Sequence, residues 1–275
     1  MTLDFDRRVL VTGGTGFLGR HVVNALLDRG YRPVVLHRAP SRSEDRGFPD
    51  SVQLFKFDLY TDDMWELRTL GSRVIHLAWD FLADYHDPRH VTLLLPKHFD
   101  FLSTLINFGF RQISVAGSCL EYGHAHGPIK PSDVTSPTTC YGLAKDSLRR
   151  ALWLRTKNLS ECTLQWYRIF YIYGSGQAKT SLVPQLERAI ALGQETFSLS
   201  HGEQIRDFLP VESAASQILD IFEKNKTGLY NICSRKPVSV RRFTEQYCEE
   251  RGSKIKLIFG DRPYPAYEPL AYWGV

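Results

Sequence analysis

Apolar and polar positions follow two rhythms along this chain: short unbroken apolar runs, and longer stretches with an apolar stripe at helical spacing. Val9-Leu10-Val11 is the first short run and predicts a strand buried on both faces. It breaks into Gly13, Gly16 and Gly19, and Val22, Val23, Leu26 and Leu27 then mark one face of a helix that Gly30 stops. The alternation repeats, with strands predicted at 33–37, 52–57, 74–78, 112–116 and 163–168. Between them lie a polar loop at 39–47, a short helix at 62–70 capped by Thr61, and a long apolar helix at 89–108 bent at Pro96. Another helical segment follows Ser136-Pro137 and carries Tyr141 and Lys145. The remainder reads as a helix at 182–192, a strand at 205–211, a helix at 213–222, a strand at 228–232, a helix at 240–251 and a last strand at 256–259. The stretch 262–269 is too rich in proline for a helix and is expected to run extended over the surface or the cleft.

Alternation of this kind implies an α/β chain with a doubly wound parallel sheet, whose ligands bind at the C-terminal ends of the strands. Composition changes that picture little. The chain has 275 residues, 43% of them hydrophobic, enough for a large core in one or two domains. A formal net charge of +4 argues for neither nucleic acid nor a membrane surface as partner. No apolar run reaches transmembrane length, and because the N-terminus goes straight into a strand, no signal peptide is expected. Five cysteines without a Cys-x-x-Cys fit reduced thiols, so a cytoplasmic location is expected. His124 and His126 form a close pair in a loop with no carboxylate or thiolate to complete a metal set, and no metal is expected.

The glycine spacing carries chemistry. Gly13 permits the tight turn out of the strand, Gly16 lets a pyrophosphate approach the backbone, and Gly19 lets helix and strand pack closely. The helix N-terminus adds amide donors and positive dipole, so a dinucleotide is the expected ligand. An acidic residue at the end of the second strand would favour NAD by accepting the ribose hydroxyls. Here that place holds His37 and Arg38, with Ser41 and Arg42 close behind, and a guanidinium suits a 2′-phosphate. NADP is therefore expected, with NAD as the alternative.

Tyr141 and Lys145 share a helix face at the i, i+4 spacing. A tyrosine is a poor acid–base catalyst near neutrality, and a nearby ammonium can bring its pKa toward the working range. The pair gains weight because the fifth strand delivers Ser118 to the same sheet edge.

These stretches together resemble a known family. Thr12–Gly19, Asp58-Leu59, His76-Leu77-Ala78, Ser118 with Tyr122-Gly123, Tyr141 with Lys145, Arg168–Gly174 and Arg206–Val211 are similar to the extended short-chain dehydrogenase/reductases, the nucleotide-sugar epimerase/dehydratase group. The resemblance implies a Rossmann domain over 1–168 that binds NADP, some later elements returning to it, and a smaller nucleotide-sugar-binding lobe over 169–275. It implies that Gly13, Thr15, Gly16, Phe17, Leu18, Gly19, His37 and Arg38 hold the cofactor. Asp58 and Leu59 would border the adenine, Leu77 and Ala78 would line the cofactor cleft, and Ile169 and Phe170 would lie near the nicotinamide. Ser118 would bind the substrate oxygen, Tyr141 would move the proton, and Lys145 would hold the nicotinamide ribose and tune Tyr141. Arg206 would lie near the sugar-nucleotide phosphates, and Trp79 and Tyr171 would wall the substrate pocket.

The chain departs from that family at Cys119 and Leu120, where its dehydratases carry an Asp-Glu pair, and around Pro96-Lys97-His98, where many relatives have an asparagine. The implied activity is an NADP-dependent reduction of a nucleotide-linked 4-keto-6-deoxy sugar. A nucleotide-sugar epimerase and a non-catalytic dinucleotide-binding regulator are the alternatives. Relatives often form a homodimer through a four-helix contact.

Overall fold

The computed structural model describes residues 7–38, 47–264 and 269–275. Its organising element is the seven-stranded parallel sheet β1 (Arg8–Thr12), β2 (Arg32–His37), β3 (Gln53–Lys56), β4 (Arg73–His76), β5 (Gln112–Ser118), β7 (Thr163–Ile169) and β12 (Gly228–Ile232). The spatial order is β3-β2-β1-β4-β5-β7-β12, and every pairing is parallel. β1 is pleated apolar on both faces because helices cover both. On one face, α1 (Phe17–Asp28) and α5 (Val211–Lys224) bury Val22, Val23, Leu26, Ile218 and Phe222 against Val9 and Val11. On the other, α2 (Leu95–Asn107) and α3 (Cys140–Thr156) bury Phe101, Leu105, Leu148 and Leu152 against Leu10 and Val74. The parallel sheet with helices on both faces expected from the alternation is the one observed, and it is Rossmann-like, as the resemblance implies.

Elements that follow β7 in sequence and lie outside the main sheet gather around a second buried cluster. They are β8 (Tyr171–Tyr173), α4 (Leu182–Ala191), β9 (Thr196–Ser198), β10 (Ile205–Arg206), β11 (Phe208–Pro210), β13 (Val238–Ser239), α6 (Val240–Glu250) and β14 (Lys256–Ile258). Val183, Leu186, Phe197, Phe243 and Tyr247 belong to that cluster. β12 leaves this part of the sequence and returns to the main sheet beside β7.

Three local expectations are corrected. The short helix after β3 is a 3₁₀ turn, Met64–Thr69, capped by Asp63 rather than Thr61, because the Asp63 carboxylate accepts the Trp65 amide at 3.0 Å. The bend expected at Pro96 is a π-helical turn, His90–Leu94, that runs into α2 with Pro96 in its first turn, where a missing N–H costs nothing. The single strand expected at 205–211 is two, because β10 pairs with β13 and β11 with β8, while Asp207 between them turns its carboxylate to the amides of Ser234 and Arg235. A further strand, β15 (Tyr272–Gly274), pairs in parallel with β6 (Gly127–Ile129) and was not expected.

Candidate active site

The ends of β1, β4, β5 and β7 open into one cleft of about 1210 Å³ that continues between the sheet and the second cluster. Thr12 ends β1, and its hydroxyl accepts the Ala78 amide at 3.2 Å. Gly13 follows at φ +68°, and a Cβ there would stand 2.7 Å from the Ala78 nitrogen. A Cβ on Gly19 would overlap the Gly13 carbonyl oxygen, so both glycines are demanded by packing. Gly16 differs. It caps α1, and within 4 Å an added Cβ would meet only the Gly13 carbonyl oxygen, at 3.2 Å. The first amides of α1 have no intrahelical acceptor and face this open corner. The turn thus fits a pyrophosphate, with Thr15, Gly16, Phe17, Leu18 and Gly19 all on the cleft wall.

Ser118 ends β5, all seven residues of which are buried. Its hydroxyl accepts the Leu120 amide at 3.1 Å, while the Glu121 carboxylate takes the Ser118 amide at 2.9 Å, closing a capping box. Glu121 is fully buried and also accepts Trp166 Nε1 at 2.8 Å and Arg168 Nε at 2.7 Å. Sequence reasoning passed over this residue, although its spacing three after Ser118 is the capping-box signal. Burial pushes the Glu121 carboxyl up, and Arg168 opposes the shift.

Tyr141 and Lys145 lie one turn apart at the start of α3, which Thr139 caps by accepting the Gly142 amide at 3.0 Å. The Tyr141 ring stacks on Tyr85 with centroids 5.2 Å apart, and its backbone amide donates to the Tyr85 carbonyl at 2.9 Å. Burial pushes the Tyr141 phenol well above its ordinary value, and a hydrogen bond with Ser118 works the other way. Burial also pulls Lys145 down to about 7, with Glu121 opposing. The expected lowering of Tyr141 by Lys145 is not what the site shows. The ammonium nitrogen lies 5.9 Å from the Tyr141 ring centroid, and desolvation drives both groups toward their neutral forms. Lys145 Nζ donates to the Ala116 carbonyl at 2.8 Å and sits 3.9 Å above the Trp79 ring.

Trp79 is part of the cleft lining, stacked at 4.4 Å on His98 and donating to His90 Nδ1 at 3.0 Å. His98 in turn bonds His76 through Nδ1 at 2.7 Å, and its Nε2 has no hydrogen-bond partner among the described residues. Burial holds both imidazoles neutral, with His76 brought down to about 3.

Where β2 and β4 end, His37, Arg38, Leu59, Leu77 and Ala78 line the cleft. Asp58 does not line it. Its carboxylate accepts the Tyr60 amide at 2.9 Å and builds the turn instead. Arg38 is not an open fork: Nη1 and Nη2 donate to Asp80 at 2.9 and 2.7 Å, and the Tyr60 hydroxyl donates to the same carboxylate at 2.7 Å. Ser41 and Arg42 lie outside the described residues.

On the far side, Ile169, Phe170, Tyr171 and Arg206 complete the wall. Arg206 is buried rather than an exposed strand residue, with its guanidinium 5.2 Å from the Tyr171 ring and 5.6 Å from that of Tyr272. Tyr272, from the unexpected β15, donates to Cys119 Sγ at 3.1 Å and meets the Tyr171 hydroxyl at 3.3 Å.

Fold and cleft define a Rossmann-type nucleotide-binding enzyme of oxidoreductase or epimerase type. The model of the family described as "NAD dependent epimerase/dehydratase family" matches residues 9–233, and the chain belongs to that family. It is 30% identical, over 97% of its length and 98% of the relative's, to dTDP-6-deoxy-L-talose 4-dehydrogenase (NAD(+)) of Aggregatibacter actinomycetemcomitans. It is 24% identical to UDP-arabinose 4-epimerase 1 of Arabidopsis thaliana, over 90% of this chain and 68% of that one. Among solved structures, UDP-N-acetylglucosamine 4-epimerase from Methanobrevibacter ruminantium M1, in complex with UDP-N-acetylmuramic acid, superimposes with a TM-score of 0.81 at 25% identity. That match covers 98% of this chain and 89% of the other. No helix among the described residues is long and apolar enough to cross a membrane.

Proposed function

We propose that this chain is a nicotinamide-dependent oxidoreductase that reduces the ketone of a nucleotide-linked 4-keto-6-deoxy sugar. The observation that carries the reading is the meeting of Ser118, Tyr141 and Lys145 in one cleft with the glycine-rich turn. The relative named for 4-dehydrogenation of dTDP-6-deoxy-L-talose works on the same kind of ketone–alcohol couple from the opposite side, which supports the sugar class.

A nicotinamide cofactor held along Gly13–Gly19 and by Lys145 would supply the hydride. As the carbonyl carbon receives it, the oxygen gains charge, and Tyr141 donates its phenolic proton while the Ser118 hydroxyl gives a second hydrogen bond. The upward shift of Tyr141 keeps it protonated at rest, which suits a proton donor. The reverse reaction would first have to ionise this phenol against its burial. Cys119 and Leu120 hold no carboxylate for the eliminations of a dehydratase. Arg206, clasped by Tyr171 and Tyr272, is the group we assign to the nucleotide diphosphate, so residues 1–168 with β12 take the cofactor and the later lobe takes the sugar nucleotide. The sequence argument for NADP rested on Arg38; its pairing with Asp80 supports NAD instead, as does the NAD(+) in the relative's name. Exposed Leu143, Trp153 and Leu154 on α3 support packing of a second copy there.

Epimerisation is the second reading, favoured by the 4-epimerases among the relatives. One assay separates them. With dTDP-linked 4-keto-6-deoxy hexoses, a reductase consumes one reduced cofactor per product. An epimerase converts a nucleotide sugar with no net change in cofactor. Failure to convert any nucleotide-linked sugar by either route refutes both readings.

A further inference from the structure

The end of β2 carries no carboxylate of its own, yet a carboxylate reaches it. Asp80, four residues beyond β4, meets Arg38, the first residue after β2. Because β1 lies between β2 and β4 in the sheet, the pair spans the C-terminal end of β1, above the glycine-rich turn. We propose that Asp80, aimed by Tyr60 and Arg38, is the residue through which this chain selects NAD over NADP. The proposal rests on the dinucleotide reading of the cleft.

Both Asp80 oxygens are committed. Oδ1 takes Arg38 Nη2, and Oδ2 takes Arg38 Nη1 together with the Tyr60 hydroxyl. Burial and the hydrogen bond to Asp80 push the Tyr60 phenol up, so it stays a donor. The backbone is set for the same purpose. Phe81, next in sequence, adopts φ 57°, a left-handed conformation that an aromatic residue holds only under tertiary constraint, so the loop direction that aims Asp80 at Arg38 is imposed. Arg89 packs on the Phe81 ring at 3.7 Å and is itself tied to Asp87.

The consequence for a ligand follows from charge and donor count. Arg38 and Asp80 together are neutral, so the cation that would draw a 2′-phosphate is cancelled. A phosphate using the end-on fork of Arg38 has to displace a carboxylate held by three hydrogen bonds, and meets like charge while doing so. A ribose 2′-hydroxyl is different, since it can donate to that carboxylate and displaces nothing. The carboxylate that usually selects NAD from the end of the second strand is thus supplied from the fourth. With side-chain exposures of 53% for Arg38 and 28% for Asp80, the ion pair adds little to stability, so its removal tests selectivity rather than folding.

The test is titration of NAD and NADP, without sugar, against wild type and the variants Asp80→Asn, Tyr60→Phe and Asp80→Asn with Arg38→Ala. Wild type is expected to bind NAD more tightly. Asp80→Asn should move the ratio toward NADP at least tenfold, or 1.4 kcal/mol. Adding Arg38→Ala should abolish that gain, and Tyr60→Phe should move the ratio the same way by less. An unchanged ratio in Asp80→Asn, equal weakening of both dinucleotides, or a wild type that favours NADP overturns the proposal. Binding of neither dinucleotide overturns it together with the reading of the cleft. Turnover plays no part in the titration, so failure of the sugar assignment would leave a selectivity switch standing, and the two are told apart.

Discussion

Glu121→Gln is the sharpest perturbation of the site that leaves its shape alone. The carboxylate has no exposure and three short partners: the Ser118 amide, Trp166 Nε1 and Arg168 Nε. Glutamine has one oxygen to offer and turns an NH₂ toward one of three donors. That leaves Arg168, 1% exposed, without its counter-ion. Breaking a buried pair from one side costs about 3–5 kcal/mol. The lower end applies here, because Arg168 keeps the Pro131 carbonyl at 3.0 Å and has Asp146 at 3.9 Å. A loss of about 3 kcal/mol in a chain of this size lowers Tm by roughly 6–12 °C. Ser118 moves with the capping box, so kcat should fall further than cofactor affinity, since the glycine-rich turn does not touch Glu121. Replacing both partners, Glu121→Leu with Arg168→Met, removes the orphaned charge and should recover much of the stability but not the activity. Calorimetry and steady-state kinetics on the three proteins check this. A Glu121→Gln melting temperature within about a degree of wild type would refute the argument that this carboxylate holds the corner together.

Three further outcomes are expected. Tyr141→Phe should still bind dinucleotide but lose on the order of 10²–10⁴ in kcat, measured by titration and turnover on a nucleotide-linked keto sugar. In the pH profile of kcat/KM for reduction, Lys145 loses its charge as pH rises through about 7, so the rate should fall above that point. Lys145→Arg, which stays charged, should remove the break, while Tyr141, shifted upward, contributes none near neutrality. Incubation with dTDP-glucose should give no product lighter by one water, since Cys119 and Leu120 supply neither acid nor base; mass spectrometry is the check.

What could be read from the sequence was whatever depends on near neighbours. Val9-Leu10-Val11 announces a strand covered on both sides, and the glycines that follow have local steric reasons, which the contacts at Gly13 and Gly19 bear out. Ser118, Tyr141 and Lys145 come together because each follows a sheet element whose order the alternation already implies. What escaped depends on partners far along the chain. Asp80 stands in plain view after Trp79, but its pairing with Arg38 requires knowing that β1 lies between their strands. Glu121 shows its spacing from Ser118, whereas its need for a counter-ion appears only once β7 brings Arg168 beside it. β15 is three residues long, too short for any periodicity, and exists because β6 offers an edge to it. The Tyr141 shift could not be foreseen either, since an i, i+4 spacing fixes the distance to Lys145 but says nothing of how dry both groups are.

The late return of β12 to the main sheet has a bearing on synthesis. Until Ile232 has left the ribosome, the outer edge of β7 has no neighbour, and that edge reads Thr-Leu-Gln-Trp-Tyr-Arg-Ile along its length. An open, aromatic-rich ladder of seven residues is a template for pairing with another nascent chain. The vectorial hazard is therefore concentrated between the emergence of Ile169 and that of Gly228. A stalled or nonsense-truncated product ending in that interval would be expected to aggregate rather than persist as a half-built fold.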